Sequence, residues 1–342
     1  MTTAIAFKLL AILATVALGW LAARLNWLSS AGVDRVAAAR VLSDAAFMVF
    51  VPALLFRTTV RLDLAALPLP LLAAFFVPMV ALLLAVHAAS LWRARRQPMP
   101  AAAPATRAVT ATFANSVQLG IPMAAALFGE AGLALHIALV SLHALVLLSL
   151  ATALAEGALA RERARVDGGS SLVRTLMHTV RQTVVHPVVL PILAGLAWNL
   201  TGLGLHPVVD EVLALLASAV VPLCLLLIGL SLAAYGLKAH WRGAIGLVLV
   251  KLFVAPALVL VVGQAVFGLQ GLPLAVIVML AALPVGSNAL IFAQRYRGEA
   301  GTLEAEATAA IVASTVAFVG TAALWLAVLG LVGALPAEGL RQ

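Results

Sequence analysis

Charged residues and cysteine are both scarce in this chain. Asp, Glu, Lys and Arg make up 10% of the 342 residues, whereas a soluble domain carries roughly 25%. The single cysteine, Cys224, excludes an internal disulfide and a metal site built from cysteines. Apolar residues make up 64% of the chain, and the mean hydropathy is +1.14. This composition predicts an all-α integral membrane protein that spans the bilayer several times.

Several catalytic motifs are also missing. The sequence contains no HExxH, no GxSxG, no paired-aspartate motif and no GxxxxGK[ST], which argues against an intramembrane enzyme and against direct use of ATP. We therefore predict no enzymatic activity, no cofactor and no metal site. The net charge of +8 does not indicate nucleic-acid binding, because the basic residues lie between apolar runs rather than along one face.

Ten apolar runs are long enough to cross a bilayer, since a transmembrane helix needs about 20 apolar residues. The first run lacks a small-residue cleavage site, so we interpret it as a retained span rather than a signal peptide. A polar stretch, 156–182, separates two groups of five, and its second half, 172–183, is predicted to form a short interfacial amphipathic helix. The ten spans are 4–23, 36–56, 67–92, 107–128, 131–155, 183–203, 208–235, 243–267, 272–294 and 306–333.

Positive charge is distributed unevenly between the loops. If the N-terminus lies outside, the inner loops hold 16 of the 21 Lys and Arg residues, the outer loops and C-terminus hold 3, and 2 lie within spans. Cytoplasmic loops of membrane proteins carry the excess of Lys and Arg. The count therefore predicts that both termini are outside, that the number of spans is even, and that 156–182 is a basic cytoplasmic linker.

The two halves, 1–155 and 183–342, share a pattern of prolines. Pro52 in the second span corresponds to Pro222 in the seventh, and Pro78 in the third corresponds to Pro256 in the eighth. Halves with five spans each must be inserted in opposite senses. We therefore predict an inverted repeat, a common architecture of secondary transporters.

Two of the ten runs are interrupted at their centres, about 170 residues apart. The interruptions are Ala114–Pro122 (ANSVQLGIP) in the fourth span and Leu283–Leu290 (LPVGSNAL) in the ninth. Lipid cannot hydrogen-bond backbone groups, so such breaks persist only when they are buried in protein or line a polar cavity. Broken helices at matching places in two halves indicate the binding site of a transporter.

Each break has residues suited to binding an anion. A half-helix that begins inside the membrane presents free N–H groups and the positive end of its dipole. Asn115 and Asn288 have amides that can donate hydrogen bonds to a carboxylate. Gly120 and Gly286 allow the backbone to approach a ligand, and Pro122 suits the first turn of a half-helix. The remaining members of the predicted site are Ser116, Gln118, Pro284 and Ser287. The competing interpretation is that these polar groups only satisfy the broken backbone.

Two ionisable residues lie deep within spans and are functional candidates for that reason. Asp44 in the second span could carry a coupling proton, or it could be a hydrated residue of the inner vestibule. Lys251 in the eighth span could neutralise the charge of a substrate, or it could hold neighbouring helices together. His136 and His143 are seven residues apart on one helix face; we expect them to hydrogen-bond between helices rather than bind metal.

The order and spacing of several stretches resemble the auxin efflux carrier family, in its bacterial form, and more distantly the bile-acid/sodium symporters. These stretches cover nearly the whole chain: Asn115–Pro122 with Phe128–Gly132, Ala219–Leu232 (AVVPLCLLLIGLSL), Lys251–Pro256, Ala282–Pro284 with Asn288, and Ser314–Thr315.

The resemblance implies ten helices, with a scaffold of spans 1, 2, 6 and 7, a mobile transport domain of spans 3–5 and 8–10, and crossing broken helices 4 and 9. It also implies an inner-membrane carrier that moves small organic anions, such as malonate or malate, by an elevator-type movement. The periplasm would then hold both termini. A homodimer contacting membrane lipid is implied by the same resemblance.

The coupling mode and the class of protein leave alternatives. A proton or sodium ion could drive transport, and a sodium-coupled symporter of the bile-acid type is one alternative to a simple anion carrier. An intramembrane enzyme or a membrane receptor would belong to a different class. A receptor would not need a broken helix in each half, so the two interruptions favour a carrier.

Overall fold

The structure is a computed structural model that describes residues 3–335, apart from 28–36, 38–40, 43, 62–67, 167–180, 182–183, 186, 188, 236–240 and 297–300. Within these ranges the fold is helical, and the one extended pairing is an isolated antiparallel bridge between Ala114 and Val285. The helices are α1 Thr3–Arg24, α2 Val51–Val60, α3 Leu69–Ala94, α4 Ala103–Thr112, α5 Ile121–Val166, α6 Val189–Leu200, α7 Pro207–Tyr235, α8 Trp241–Leu249, α9 Ala255–Ala265, α10 Gly271–Ala282, α11 Asn288–Arg295 and α12 Thr302–Leu331.

Each of the ten predicted spans overlaps described helical structure. Among the described residues, four helices are long and apolar enough to cross a membrane: Leu69–Ala94, Ala126–Arg163, Pro207–Leu230 and Trp241–Ala265. A fifth candidate consists of Thr302–Phe318 and Gly320–Leu331, which meet at 55°. These findings confirm an all-helical membrane protein, while ten spans in an inverted repeat stay a prediction. The segment 172–183, predicted as an amphipathic helix, lies outside the described residues except for residue 181.

Gly129 marks the boundary that the sequence predicts between the fourth and fifth spans. Its backbone has φ 63° and ψ −160° within α5, a conformation that glycine adopts readily because it has no Cβ. The helix axis therefore changes direction at Gly129. This change of direction brings the later part of α5 back beside the first interruption.

Three five-residue π-helical turns interrupt the helices, at Ala46–Phe50, Ser116–Gly120 and Val250–Val254. Each turn is followed by one residue and then a proline, namely Pro52, Pro122 and Pro256. Proline lacks an N–H and its ring displaces the carbonyl four residues earlier, which lies inside the π-helical turn. For Pro256 that carbonyl belongs to Leu252, and it accepts a hydrogen bond from Trp325 Nε1 at 2.8 Å. Of the prolines that the two halves share, Pro52 and Pro256 follow such a turn, whereas Pro78 and Pro222 lie inside helices α3 and α7.

The helices pack in two groups. In one group α1 lies along α7, and α2 contacts both α6 and α7; in the other, α3 contacts α4 and α9, α8 contacts α12, and α9 contacts α10. The second group surrounds α10, in which residues 274–282 are at most 1% exposed. The end of α10 at Ala282 therefore lies in the interior, and the second interruption follows directly.

Helices α1 and α7 approach closely because glycines face each other at their contact. A Cβ placed on Gly229 would lie 2.1 Å from the carbonyl oxygen of Val16, and one on Gly19 would lie 2.3 Å from that of Leu226. Such distances leave no room for a methyl group. Small residues permit close backbone packing between membrane helices, where van der Waals contact replaces the hydrophobic effect.

We predict that Gly229→Ala destabilises the protein by ~1–3 kcal/mol, because the added methyl must push α1 away from α7. The expected result is a lower midpoint of thermal unfolding in detergent. Gly246→Ala in α8 is the matched control, since nothing lies within 4 Å of a Cβ at that position. Equal midpoints for the Gly229 variant and the unsubstituted protein would contradict this account of the α1–α7 contact.

Candidate functional site

The two interrupted segments cross each other and pair through their backbones. Asn115 N–H donates to the Pro284 carbonyl at 2.9 Å, and Gly286 N–H donates to the Phe113 carbonyl at 2.9 Å. These two bonds flank the Ala114–Val285 bridge. Each interruption therefore satisfies two backbone groups of the other, as the membrane interior requires.

A third helix supports the crossing. Val285 N–H donates to Ser314 Oγ of α12 at 3.0 Å, and the same hydroxyl donates to the Ile311 carbonyl at 3.1 Å. Ser314 is fully buried. The Ser314 hydroxyl thus satisfies the N–H group of Val285, which points away from the first interruption.

The second interruption ends α10 for a local reason. Leu283 precedes Pro284 and adopts φ −55° and ψ 151°, the extended region that a following proline favours. Helix α11 then begins at Asn288, where Ala289 N–H bonds Gly286 O and Leu290 N–H bonds Ser287 O, both at 3.0 Å. Helix α11 therefore begins two residues after Gly286, which is part of the crossing.

The first half-helix begins earlier than the sequence indicates. We expected Pro122 to lie in its first turn, but the helical backbone starts at Ser116, and the first intrahelical bond joins Gly120 N–H to Asn115 O at 3.1 Å. The N–H groups of residues 117–119 precede that bond and have no partner within the helix. Pro122 instead follows the π-helical turn, which accommodates its missing N–H.

The two glycines of the predicted site are enclosed by protein. A Cβ on Gly286 would lie 2.7 Å from Ala114 O, and one on Gly120 would lie 2.6 Å from His136 Nε2. Both positions therefore require glycine because a side chain would clash with protein atoms at the crossing. The sequence predicts a second reason, the close approach of a ligand.

Two histidines of α5 hold the first interruption in place. His136 Nε2 lies 2.9 Å from the Ser116 carbonyl, so this nitrogen carries the proton and donates. His143 Nδ1 lies 3.3 Å from Ser116 Oγ, and its ring stacks on Phe113 with 4.4 Å between centroids. Both side chains are 1% exposed. The seven-residue spacing indicated a shared helix face, but only the bend at Gly129 shows that this face meets Ser116.

A small cavity lies beside the crossing. Its volume is about 10 Å³, room for about one water molecule. The crossing contributes Asn115 and Ser287, α12 contributes Thr315, and the first packing group contributes residues of α1 and α7. The lining residues are Val16, Asn115, Leu225, Ile228, Ser287, Ile311, Val312 and Thr315.

Asn115 is the polar side chain best placed to bind a ligand in this cavity. It occupies the cap position of the first half-helix, yet its amide makes no capping hydrogen bond. Among the described residues its side chain has no hydrogen-bond partner. It is 6% exposed. Ser287, at the cap position of α11, makes no capping bond either and contacts Cys224 of α7.

Other predicted site residues lie at varying positions around the crossing. Asn288 is half-buried as the first residue of α11 and does not line the cavity, whereas Ser287 beside it does. Pro284 contributes its carbonyl to the crossing. The side chains of Gln118 and Pro122 lie outside what the structure describes. Asp44 is exposed on the helical stretch before α2 and is not among the residues of the cavity.

Lys251 lies against the opposite end of a half-helix. Its side chain is fully buried, and Nζ donates to the Ala281 carbonyl at 2.5 Å. Ala281 belongs to the last turn of α10, where the helix dipole is negative. The Lys251 amine therefore satisfies a carbonyl at this helix end, close to the crossing.

Apolar helices with two broken segments that cross are typical of multi-pass membrane transporters. The chain belongs to the membrane transport protein family, the auxin efflux carrier family, whose model matches residues 4–326. This match confirms the resemblance to auxin efflux carriers. The family consists of transporters rather than enzymes. The relation to bile-acid/sodium symporters stays a prediction. A comparison with curated proteins finds no match.

We predict that Ser314→Ala lowers stability by about 1–3 kcal/mol, because the buried N–H of Val285 would lose its acceptor. Thermal unfolding in detergent measures the effect. Ser141→Ala provides the matched control, since Ser141 Oγ bonds only a carbonyl one turn earlier on an exposed face. If both alanine variants unfold at the same temperature, Ser314 does not support the crossing as described.

Proposed function

We propose that the protein is a secondary transporter of small organic anions, mono- or dicarboxylates such as malonate or malate, and that the carboxylate binds at the crossing. The observation that carries this proposal is the Asn115 amide, which lies beside a cavity and is not used by the described protein. A buried amide without a partner costs free energy unless a ligand completes its hydrogen bonds.

The charge of a carboxylate would be balanced without a metal ion. The half-helices beginning at Ser116 and Asn288 both direct their positive ends toward the crossing. The Lys251 amine donates to the carbonyl of Ala281 at the negative end of α10. The remaining potential at the crossing therefore favours an anion, with Asn115, Ser116, Ser287 and Asn288 as the nearest side-chain donors.

The packing of the helices supports an elevator-type movement. The cavity lies where the group of α1, α2, α6 and α7 meets the group of α3–α5 and α8–α12. In this proposal the first group is the scaffold and the second group is the transport domain. A cavity of about 10 Å³ is too small for a dicarboxylate, so the two groups must separate before a substrate can enter.

Coupling and assembly follow from the same proposal. Lys251, whose amine bonds the end of α10 beside the crossing, would balance part of the charge of the anion, so that the carrier would not need sodium. A proton carried by Asp44 remains the alternative form of coupling.

The exposed faces of the scaffold group would contact membrane lipid and the second subunit of a homodimer in the bacterial inner membrane, with both termini in the periplasm.

We predict that the double variant Asn115→Ala/Asn288→Ala raises the Kd for the carboxylate by about 100-fold or more. Each hydrogen bond to a charged group contributes about 1.5–3 kcal/mol, and the two together exceed 2.7 kcal/mol. Binding would be measured by calorimetry or thermal shift with malonate and malate.

Asn199→Ala is the control for that experiment. Asn199 Nδ2 donates to the Val60 carbonyl at 2.7 Å, between α6 and α2 and outside the crossing cavity. Its removal should lower thermal stability and leave affinity unchanged. A double variant that binds the carboxylate as tightly as the unsubstituted protein would remove these two residues from the site.

Counterflow in proteoliposomes tests the class of protein. Vesicles loaded with unlabelled malonate or malate should accumulate the radiolabelled acid in unchanged chemical form, with and without sodium. Accumulation that requires sodium would favour the bile-acid type of symporter. Chemical conversion of the acid would indicate an enzyme, and binding without accumulation would indicate a receptor.

A further inference from the structure

A second and larger cavity lies at the ends of four helices and shares no lining residue with the crossing cavity. Its volume is about 630 Å³. Arg93 lies at the end of α3, Arg107 in α4, Arg242 at the start of α8, and Thr302 and Glu306 at the start of α12. All four helices belong to the group that would move in an elevator.

The cavity carries an excess of positive charge. Arg107 forms an ion pair with Glu306, whose carboxylate lies over Gly243; a Cβ there would be 2.1 Å from Glu306 Oε1. This pair is about nine-tenths buried, with side-chain exposures of 12% and 11%. Among the described residues, no ion pair joins Arg93 or Arg242 to a carboxylate. Three arginines against one glutamate leave a net charge of +2.

Two tryptophans fix the depth of this cavity in the membrane. Trp92 precedes Arg93 and is 55% exposed, and Trp241 precedes Arg242 and is 43% exposed. Leu91 and Ile245 are exposed beside them. Tryptophans of membrane proteins are enriched at the membrane–water interface, at the level of the lipid headgroups. By this rule the two arginines would lie at the depth of the lipid phosphates, next to apolar faces that would contact acyl chains.

We propose that this cavity binds the phosphate of an anionic phospholipid headgroup. Arg93 and Arg242 would contact the phosphate oxygens, since guanidinium groups pair well with phosphate, and the first N–H groups of α12, near Thr302, would add donors. Basic pockets between transmembrane helices on the cytoplasmic side bind such headgroups. The arginine-rich loops place this cavity on the side predicted to be cytoplasmic. A lipid bound there would attach the predicted transport domain to the inner leaflet.

The test measures lipid binding by native mass spectrometry of the purified protein, titrated with phosphatidylglycerol and, separately, with uncharged phosphatidylcholine. Arg93→Gln/Arg242→Gln should weaken phosphatidylglycerol binding about 30-fold, which corresponds to ~2 kcal/mol for two basic residues. The control is Arg95→Gln/Arg96→Gln, which removes two charges from the same end of α3. Neither residue lines the cavity, and Arg96 stacks on Trp92 at 4.0 Å. The control should bind the lipid normally.

Three results would overturn the proposal: equal binding by the cavity variant and the unsubstituted protein, equal weakening by both double variants, or equal binding of both lipids. Inorganic phosphate is titrated as a further arm. If it displaces the lipid at millimolar concentration and binds equally well without it, the occupant is a soluble anion and the lipid assignment fails. Asn115→Ala/Asn288→Ala should keep lipid binding, so this test is independent of the proposed substrate site.

Discussion

The fold depends on satisfying backbone hydrogen bonds where no water is present. An unpaired N–H or C=O in hydrocarbon costs several kcal/mol, so two broken helices in the interior would be prohibitively unfavourable alone. Crossing removes most of this cost. Asn115 and Gly286 donate to the opposite segment, and Val285 donates to Ser314. His136 donates to the Ser116 carbonyl. Within the part of the chain that the structure describes, the groups still without partners are chiefly the Asn115 amide and the first N–H groups of the half-helix at Ser116, and we propose that these bind the anion.

The same arrangement is the basis of the selectivity and movement that we propose. In the proposed function, helix ends and amides would bind a carboxylate, and the Lys251 amine bonds the end of α10 nearby. Because α12 holds the crossing through Ser314 and also lines the cavity, displacement of the second helix group would carry the intact site. The glycine contact between α1 and α7 packs these two helices of the first group closely together.

The sequence predicts much of this arrangement because lipid imposes simple rules. Runs of about 20 apolar residues locate the helices, and Pro, Gly and Asn within such runs locate the two breaks. The crossing itself involves residues about 170 positions apart, and the supporting contacts of Ser314 and His136 depend on tertiary packing that no local pattern encodes. The start at Ser116 was missed because a π-helical turn shifts the half-helix forward of Pro122. The sequence also does not indicate that Ser287, rather than Asn288, borders the cavity.

A crystal of the protein soaked with a brominated carboxylate, such as bromomalonate, tests the central claim most directly. The account predicts an anomalous bromine peak between the two half-helix ends, with the carboxylate within hydrogen-bond distance of the Asn115 amide. A peak away from the crossing, or unbroken helices through residues 116 and 286, would contradict it.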